Sequence, residues 1–274
     1  MPISPDQEQI ARDILGALDA RRQIGCLTTG DPRFDNLAAY KVAALVGAMR
    51  KARGEKVVGR KIGFTNRTIW DEYDVHAPIW GNVYDSTFHR LDDIDEPFDL
   101  GRVVEPRIEP EIVFSLASAP RAGMSEAELL GCVAWVAHGF EIVQSLYPAW
   151  RFKAPDTIAA FGLHGALVVG PPVAIEARDH AMWREALASF DIALSRNGEL
   201  QDRGNAANVL GGGPLTALSH LVELLPLDPN AEPLAPGEIL STGTLTRALP
   251  IAPGETWSTV LEGVPIPGIS LSFR

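Results

Sequence analysis

The chain has 274 residues, 46% apolar and 22% charged, enough to bury a sizeable core and too little charged for a disordered chain. Its 35 acids against 24 bases leave a formal charge of −11, the reverse of the basic surplus that a nucleic-acid groove displays. Two cysteines, Cys26 and Cys132, form no CxxC pair and exclude a disulfide framework.

The first 13 residues carry neither a basic nor an apolar leader region, and no apolar run approaches the roughly 20 residues of a membrane span. The expectation is a cytoplasmic protein. From Asp6 to Arg22 the apolar residues Ile10, Ile14, Leu15 and Leu18 make a helical stripe, and Asp35 to Arg53 repeats it, with Gly54 as a stop. Strand texture starts at Lys56, with Lys56–Thr65 and Arg107–Ser115 as strands. Ser125–Val136 reads as an apolar helix, with Ser125 and Glu128 in capping-box spacing. Phe190–Arg196 and Glu199–Asp202 flank Asn197-Gly198, a two-residue hairpin signal. Pro214–Leu225 is a helix with proline first, and Glu238–Arg274 is strands broken by glycine and proline. The simplest organisation is one domain, a helical segment of residues 1–55 packed on a β-rich core of residues 56–274.

Several familiar motifs fail on inspection. The stretch from Gly54 to Lys61 echoes a phosphate loop, but its lysine is one place late and Val57-Val58 make it a strand. The six histidines have no ligand spacing, so a histidine-built zinc site is not expected. Gly211-Gly-Gly-Pro214 suits a tight connection better than an anion site.

The chemistry concentrates in Arg107-Ile-Glu-Pro-Glu-Ile-Val-Phe-Ser115. On a strand Glu109 and Glu111 share one face about 7 Å apart at the backbone, close enough to converge on one ion. Oxygen donors suit Mg²⁺, Mn²⁺ or Ca²⁺ rather than zinc. An isolated pair of this kind is also an ordinary solvated strand face. Glu141, alone in the apolar run Gly139-Phe-Glu-Ile-Val143, needs a cation, a donor or a metal if buried. Lys61 stands between Gly59 and Gly63 on one strand face, which clears space for a ligand; an exposed edge lysine fits the same pattern. Tyr147 to Asp156 reads as a loop presenting Lys153 and Asp156.

In order, Lys61-Ile-Gly-Phe-Thr65, Gly81-Asn-Val-Tyr-Asp85, Glu105-Pro-Arg-Ile-Glu-Pro-Glu-Ile-Val-Phe114, Phe140-Glu-Ile-Val143, Asp156-Thr-Ile-Ala159, Gly243-Thr-Leu-Thr246 and Pro253-Gly-Glu255 resemble one family. It is the 2-keto-4-pentenoate hydratase and 4-oxalocrotonate decarboxylase branch of the fumarylacetoacetate hydrolase superfamily, and the resemblance runs from about Tyr40 to Glu255. It implies an α+β fold, a mixed β-roll core with N-terminal helices, and homo-oligomers: dimers or rings of dimers. It implies one Mg²⁺ or Mn²⁺ on Glu109, Glu111 and Glu141, with Lys61, Asp85 and Lys153 as catalytic residues. Arg107 and Thr244, within the matched segments, are expected at the substrate.

The implied substrates are small 2-oxo or 2-hydroxydienoate acids from aromatic-compound degradation, and the expected reaction is hydration. The alternatives are decarboxylation of a 2-oxo-3-enedioate, C–C hydrolysis of an acylpyruvate, or a non-catalytic partner subunit of another lyase. Two departures touch the pocket. Gln144-Ser-Leu146 replaces the branch's Asp-Ser-Arg, and Ala160-Phe-Gly-Leu-His164 replaces Asp-Asn-Ala-Ser-Ser. Phe161 and His164 are therefore expected to reshape the substrate pocket, with His164 open to binding a carboxylate, to acid–base work or to a plain core role.

Overall fold

A computed structural model describes residues 5–73 and 75–274; the first four residues of the N-terminal stretch read above, and Asp74, lie outside it. Helix α1 (Pro5–Asp19), a short α2 (Leu27–Gly30) and α3 (Asn36–Ala52) come first. Asp35 caps α3 by accepting from Ala38 N at 2.9 Å, and Arg50 and Lys51 complement its C-terminal end. Then follow β1 (Val57–Gly63), α4 (Trp70–Tyr73), β2 (Ile79–Tyr84), β3 (Phe88–Arg90), β4 (Arg107–Leu116), α5 (Glu126–Leu130) and β5 (Val133–Val143). After these come α6 (Ala154–Ala159), β6 (His164–Val169), β7 (Val173–Ala174), α7 (His180–Ser189), β8 (Asp191–Arg196) and β9 (Glu199–Asn205). The chain ends with α8 (Pro214–Leu224), β10 (Ile239–Thr244), β11 (Leu249–Pro250), β12 (Thr256–Glu262) and β13 (Ser270–Ser272).

The large sheet runs β2-β1-β10-β4-β5-β6-β3, with β11 added to β4 and β7 to β5. Among the described residues, the β1/β10 and β3/β6 pairs of this sheet are parallel and its other strand pairs antiparallel. Its two end strands, β2 and β3, are joined by the short turn at residues 85–87, so the sheet curls back toward itself as a half-barrel. This is the mixed roll with helices in front that the resemblance implies. The smaller antiparallel sheet, β13-β12-β8-β9, closes one face of it.

Period-two alternation sorts the central strands. Ile108, Phe140, Ile142, Ala166 and Val168 pack outward against Trp257, Leu194 and Leu271 of the small sheet. Val113, Ala137, Leu167 and Val169 face inward, beside Val83 and Ile239. Glu109, Glu111 and Glu141 continue that inward row, so the acids stand at one end of an apolar interior. Helices α1 and α3 form a separate apolar layer with Ile158, Ala159 and Phe161.

One element departs from the sequence expectation. The helix over Ser125–Val136 stops at Leu130 after little more than one turn, and Val133–Val136 belong to β5. The capping box at Ser125 and Glu128 forms as its spacing requires. A short apolar run suits helix or strand alike, and pairing with β4 decides for strand. The Asn197-Gly198 hairpin has both turn residues left-handed, φ 52° and 83°. The triple glycine is a tight connection: a Cβ on Gly213 would stand 2.5 Å from Leu187 O.

Candidate metal centre and its pocket

Antiparallel pairing sets Glu109 of β4 directly opposite Glu141 of β5, and the strand period puts Glu111 on the same face. One carboxylate oxygen from each of the three lies within 4.8 Å of the others. Glu111 and Glu141 are fully buried. A β-bulge in β10, between Ser241 and Thr244, turns Gly243 N–H toward Glu111 Oε2 at 2.8 Å, and the Ser241 hydroxyl donates to the same oxygen. Glycine is required at 243, because φ is 93° and a Cβ would overlap Thr65 Oγ1. Glu111 Oε1 is buried without a hydrogen-bond partner among the described residues.

Lys61 rises from β1 into this group. Its Nζ donates to Gly162 O at 2.9 Å and lies 3.2 Å from Glu141 Oε2. Burial pulls its pKa down, but the charges of Glu141, Glu109 and Glu111 prevail and hold it above the usual lysine value. His164 Nδ1 meets Glu141 Oε1 at 2.7 Å, and its Nε2 lies 2.9 Å from Thr87 Oγ1. Burial, then the nearby Lys61 and Arg50 charges, keep this imidazole below its ordinary pKa despite Glu141.

The three acids differ. Burial raises the Glu109 carboxyl to about 7, with Lys61 opposing and Glu141 adding to the shift. Glu111 is raised well above the usual value by burial and by its two acidic neighbours. For Glu141, burial is outweighed by Lys61 and His164, and its pKa falls. One ammonium thus faces three carboxylates, and a buried carboxylate oxygen stands unbonded. That arrangement fits a hard divalent cation, which would take all three acids as oxygen donors.

The pocket beside the cluster is lined by Lys61 and Glu109 at its base and by Phe64, Ile79, Val143, Trp150, Phe152 and Leu163 as an apolar wall. Three consecutive left-handed residues, Phe161, Gly162 and Leu163 (φ 59°, 61° and 66°), aim the Gly162 carbonyl at Lys61 and Leu163 into the pocket.

The other expected residues are spread unevenly. Thr244 is buried on the pocket wall, its hydroxyl donating to Thr246 O at 2.9 Å. Arg107 is not on the pocket lining; its guanidinium lies 4.2 Å from the centre of the ring of Trp150, which is. Asp85 does not reach the site. It is exposed in the turn after β2 and accepts from Lys56 N at 3.0 Å, while Ile79 packs beside Lys61 instead. Lys153 is also outside; it is exposed at the N-cap of α6, with its backbone N–H donating to Asp156. Asp156 is buried rather than presented, tying Thr28 to α6. The Phe161 ring turns away from the substrate pocket into the helical layer, 5.3 Å from the Arg50 guanidinium. His164 grips Glu141 rather than lining the pocket, and its carbonyl and that of Leu163 are held by Gln144. The sequence reading missed Ser241, Gly243, Gly162 and Thr87; Gly243 within a strand was the one legible signal of a bulge.

A family model for the fumarylacetoacetate (FAA) hydrolase C-terminal region matches residues 82–266, which include all three acids and His164. The chain belongs to this family. Among its relatives is a 2-hydroxyhexa-2,4-dienoate hydratase of Comamonas testosteroni, 29% identical over 253 residues and 90% of each chain. A 4-oxalocrotonate decarboxylase of a Pseudomonas species is 29% identical over 231 residues, 82% of this chain and 83% of that one. The solved 4-oxalocrotonate decarboxylase from Pseudomonas putida G7, complexed with calcium and acetate, superposes with a TM-score of 0.85 at 25% identity, covering 100% of this chain and 99% of that one.

Proposed function

We propose that this protein is a divalent-metal-dependent hydro-lyase that adds water to a small 2-hydroxy-2,4-dienoate, giving a 4-hydroxy-2-oxo acid in aromatic-compound degradation. The observation that carries the proposal is the cluster of half-buried Glu109 with fully buried Glu111 and Glu141, with Lys61 beside it, on an apolar-walled pocket. These three acids would hold Mg²⁺ or Mn²⁺, which when bound supplies a Lewis acid for the negative charge of an enolate. Lys61 Nζ spends one contact on Gly162 O and one on Glu141, and as a pocket-lining ammonium it carries the proton. Ketonisation moves a proton from the 2-hydroxyl to C5; water then adds across C3 and C4, hydroxyl to C4 and hydrogen to C3. The wall of Phe64, Ile79, Val143, Trp150, Phe152 and Leu163 excludes bulk water and accommodates an apolar tail.

Asp85, expected among the catalytic residues, has no part in this reading, because it lies outside the pocket. That favours one second reading. Lys61 and Glu109 are the only titratable side chains on the pocket lining among the described residues, and decarboxylation of a 2-oxo-3-enedioate needs one proton donor where hydration also needs a base for water. A mass-resolved time course with 2-hydroxypenta-2,4-dienoate and with 2-oxohex-3-enedioate, with Mg²⁺ or EDTA, separates the two. Metal-dependent gain of water from the first supports the hydratase; metal-dependent loss of CO₂ from the second replaces it with the decarboxylase. Turnover of neither overturns both. A cytoplasmic homo-oligomer, a dimer or ring of dimers, belongs to the same reading and is checked by light scattering.

A further inference from the structure

We infer that His164 is a positioning residue for the metal centre, fixing the Glu141 carboxylate so that the site's cation affinity depends on it. The inference rests on the reading that Glu109, Glu111 and Glu141 hold a divalent cation. Its first support is how the chain delivers the ring. Along β6, Leu167 faces inward opposite Glu141, and Ala166 faces outward opposite Ile142. The register then slips: Val143 pairs with His164, and Gly165 is passed over. This bulge adds one residue to β6, so His164, which regular alternation would send outward, turns inward. Position 165 admits only glycine, because a Cβ would lie 2.6 Å from Ile142 O and 3.0 Å from Val103.

The second support is that both ring nitrogens are engaged from fixed elements. Nδ1 reaches Glu141 Oε1 at 2.7 Å, and Nε2 reaches Thr87 Oγ1 at 2.9 Å. Thr87 is itself anchored in the turn after β2, its hydroxyl oxygen accepting from Tyr84 N at 3.3 Å, which leaves its one proton for Nε2. The third support is a contrast in stiffness. The other partner of Glu141, Lys61, sits on a flexible four-carbon stem, whereas the imidazole is a rigid ring held at both ends. The ring therefore sets the orientation of the carboxylate. Groups that hold a ligand from behind in this way change metal affinity by about 10- to 100-fold when removed.

The test is Mn²⁺ binding to the full chain, read from the electron-spin-resonance signal of free Mn²⁺, for wild type, His164→Ala, His164→Asn, Thr87→Val and Glu109→Ala. The expected result is about 10- to 100-fold weaker binding for His164→Ala, partial recovery for His164→Asn, whose amide N–H replaces Nδ1–H, and a smaller, several-fold loss for Thr87→Val. At saturating Mn²⁺ the KM of His164→Ala for the dienoate stays near that of wild type. Binding by a folded His164→Ala within twofold of wild type overturns the inference, as does an Asn variant no better than Ala. If the Ala variant does not fold, unchanged Mn²⁺ affinity in Thr87→Val overturns it. No binding by wild type, or equal binding by wild type and Glu109→Ala, overturns the metal reading itself.

Discussion

Glu255, beside the small sheet, and Glu111, inside the roll, are treated in opposite ways. Glu255 accepts from Ala252 N at 3.0 Å and Trp257 Nε1 at 2.9 Å and lies 3.3 Å from Arg196. Asp202 on β9 is similar: partial burial pushes its pKa up, but bonds from Arg247 and Arg203 hold it below the usual carboxylate value. Glu111 has a hydroxyl and an amide on one oxygen, nothing on the other, and two acids for neighbours. The outer acids are satisfied by the fold alone. The inner ones are gathered at an electrostatic cost that only a cation offsets, which is why the inner cluster reads as a site and the outer pairs as structure.

The largest effect that would break this comparison is at Glu109. Glu109→Ala is expected to abolish metal-dependent turnover and weaken Mn²⁺ binding at least ~100-fold while the protein stays folded, as checked by calorimetry and circular dichroism; retained activity would remove the site. Lys61→Met should also stop turnover. It leaves Glu141 without its ammonium, and the metal-free protein should lose about 3 kcal/mol of stability, partly restored by Mn²⁺ in thermal melts.

Proton linkage sharpens the contrast. Glu109 titrates at about 7 in the fold against 4.5 unperturbed, so between those values the native state holds more protons than the unfolded state. Stability of the metal-free protein should therefore fall as pH rises from about 4.5 to 7, by up to roughly 3 kcal/mol. Saturating Mg²⁺ should remove that slope, since cation and proton compete for the same oxygens. Asp202, with its lowered pKa, has the opposite sign: its contribution is lost only as pH falls below the ordinary carboxylate range. Urea midpoints at pH 5 and pH 8, with EDTA or Mg²⁺, measure the Glu109 slope, and midpoints below about pH 4 measure that of Asp202. A smaller effect is expected at the outer hairpin, where Gly198→Ala at φ 83° should cost about 1 kcal/mol and leave Mn²⁺ binding unchanged. Asp85→Asn should be smallest, with turnover within roughly twofold, because the side chain is exposed and bonded to Lys56 N. A large loss of kcat in that variant would return Asp85 to the catalytic set.

Much of the fold was legible because its signals are local. The Ser125 capping box, the Asn197-Gly198 turn and the β4 alternation all act within a few residues, and each forms. The helix over Ser125–Val136 was misread for the same reason: Val133–Val136 carry no local preference strong enough to resist pairing with β4. Asp85 and Lys153 are a different failure, since a motif's order along the chain does not say which side of a turn a side chain leaves by.

The sequence by itself determined that Glu109 and Glu111 share a strand face, since a two-residue period permits nothing else, and that a carboxylate in the apolar run around Glu141 needs partners if buried. Tertiary structure alone decided who those partners are. The register of β4 against β5 set Glu109 opposite Glu141, and the curl of the sheet brought Lys61 over them. Two bulges turned Gly243 and His164 toward the acids. Register and bulges come from packing between segments more than 20 residues apart, and a one-residue slip reverses which face a side chain takes, so no local pattern could have fixed them.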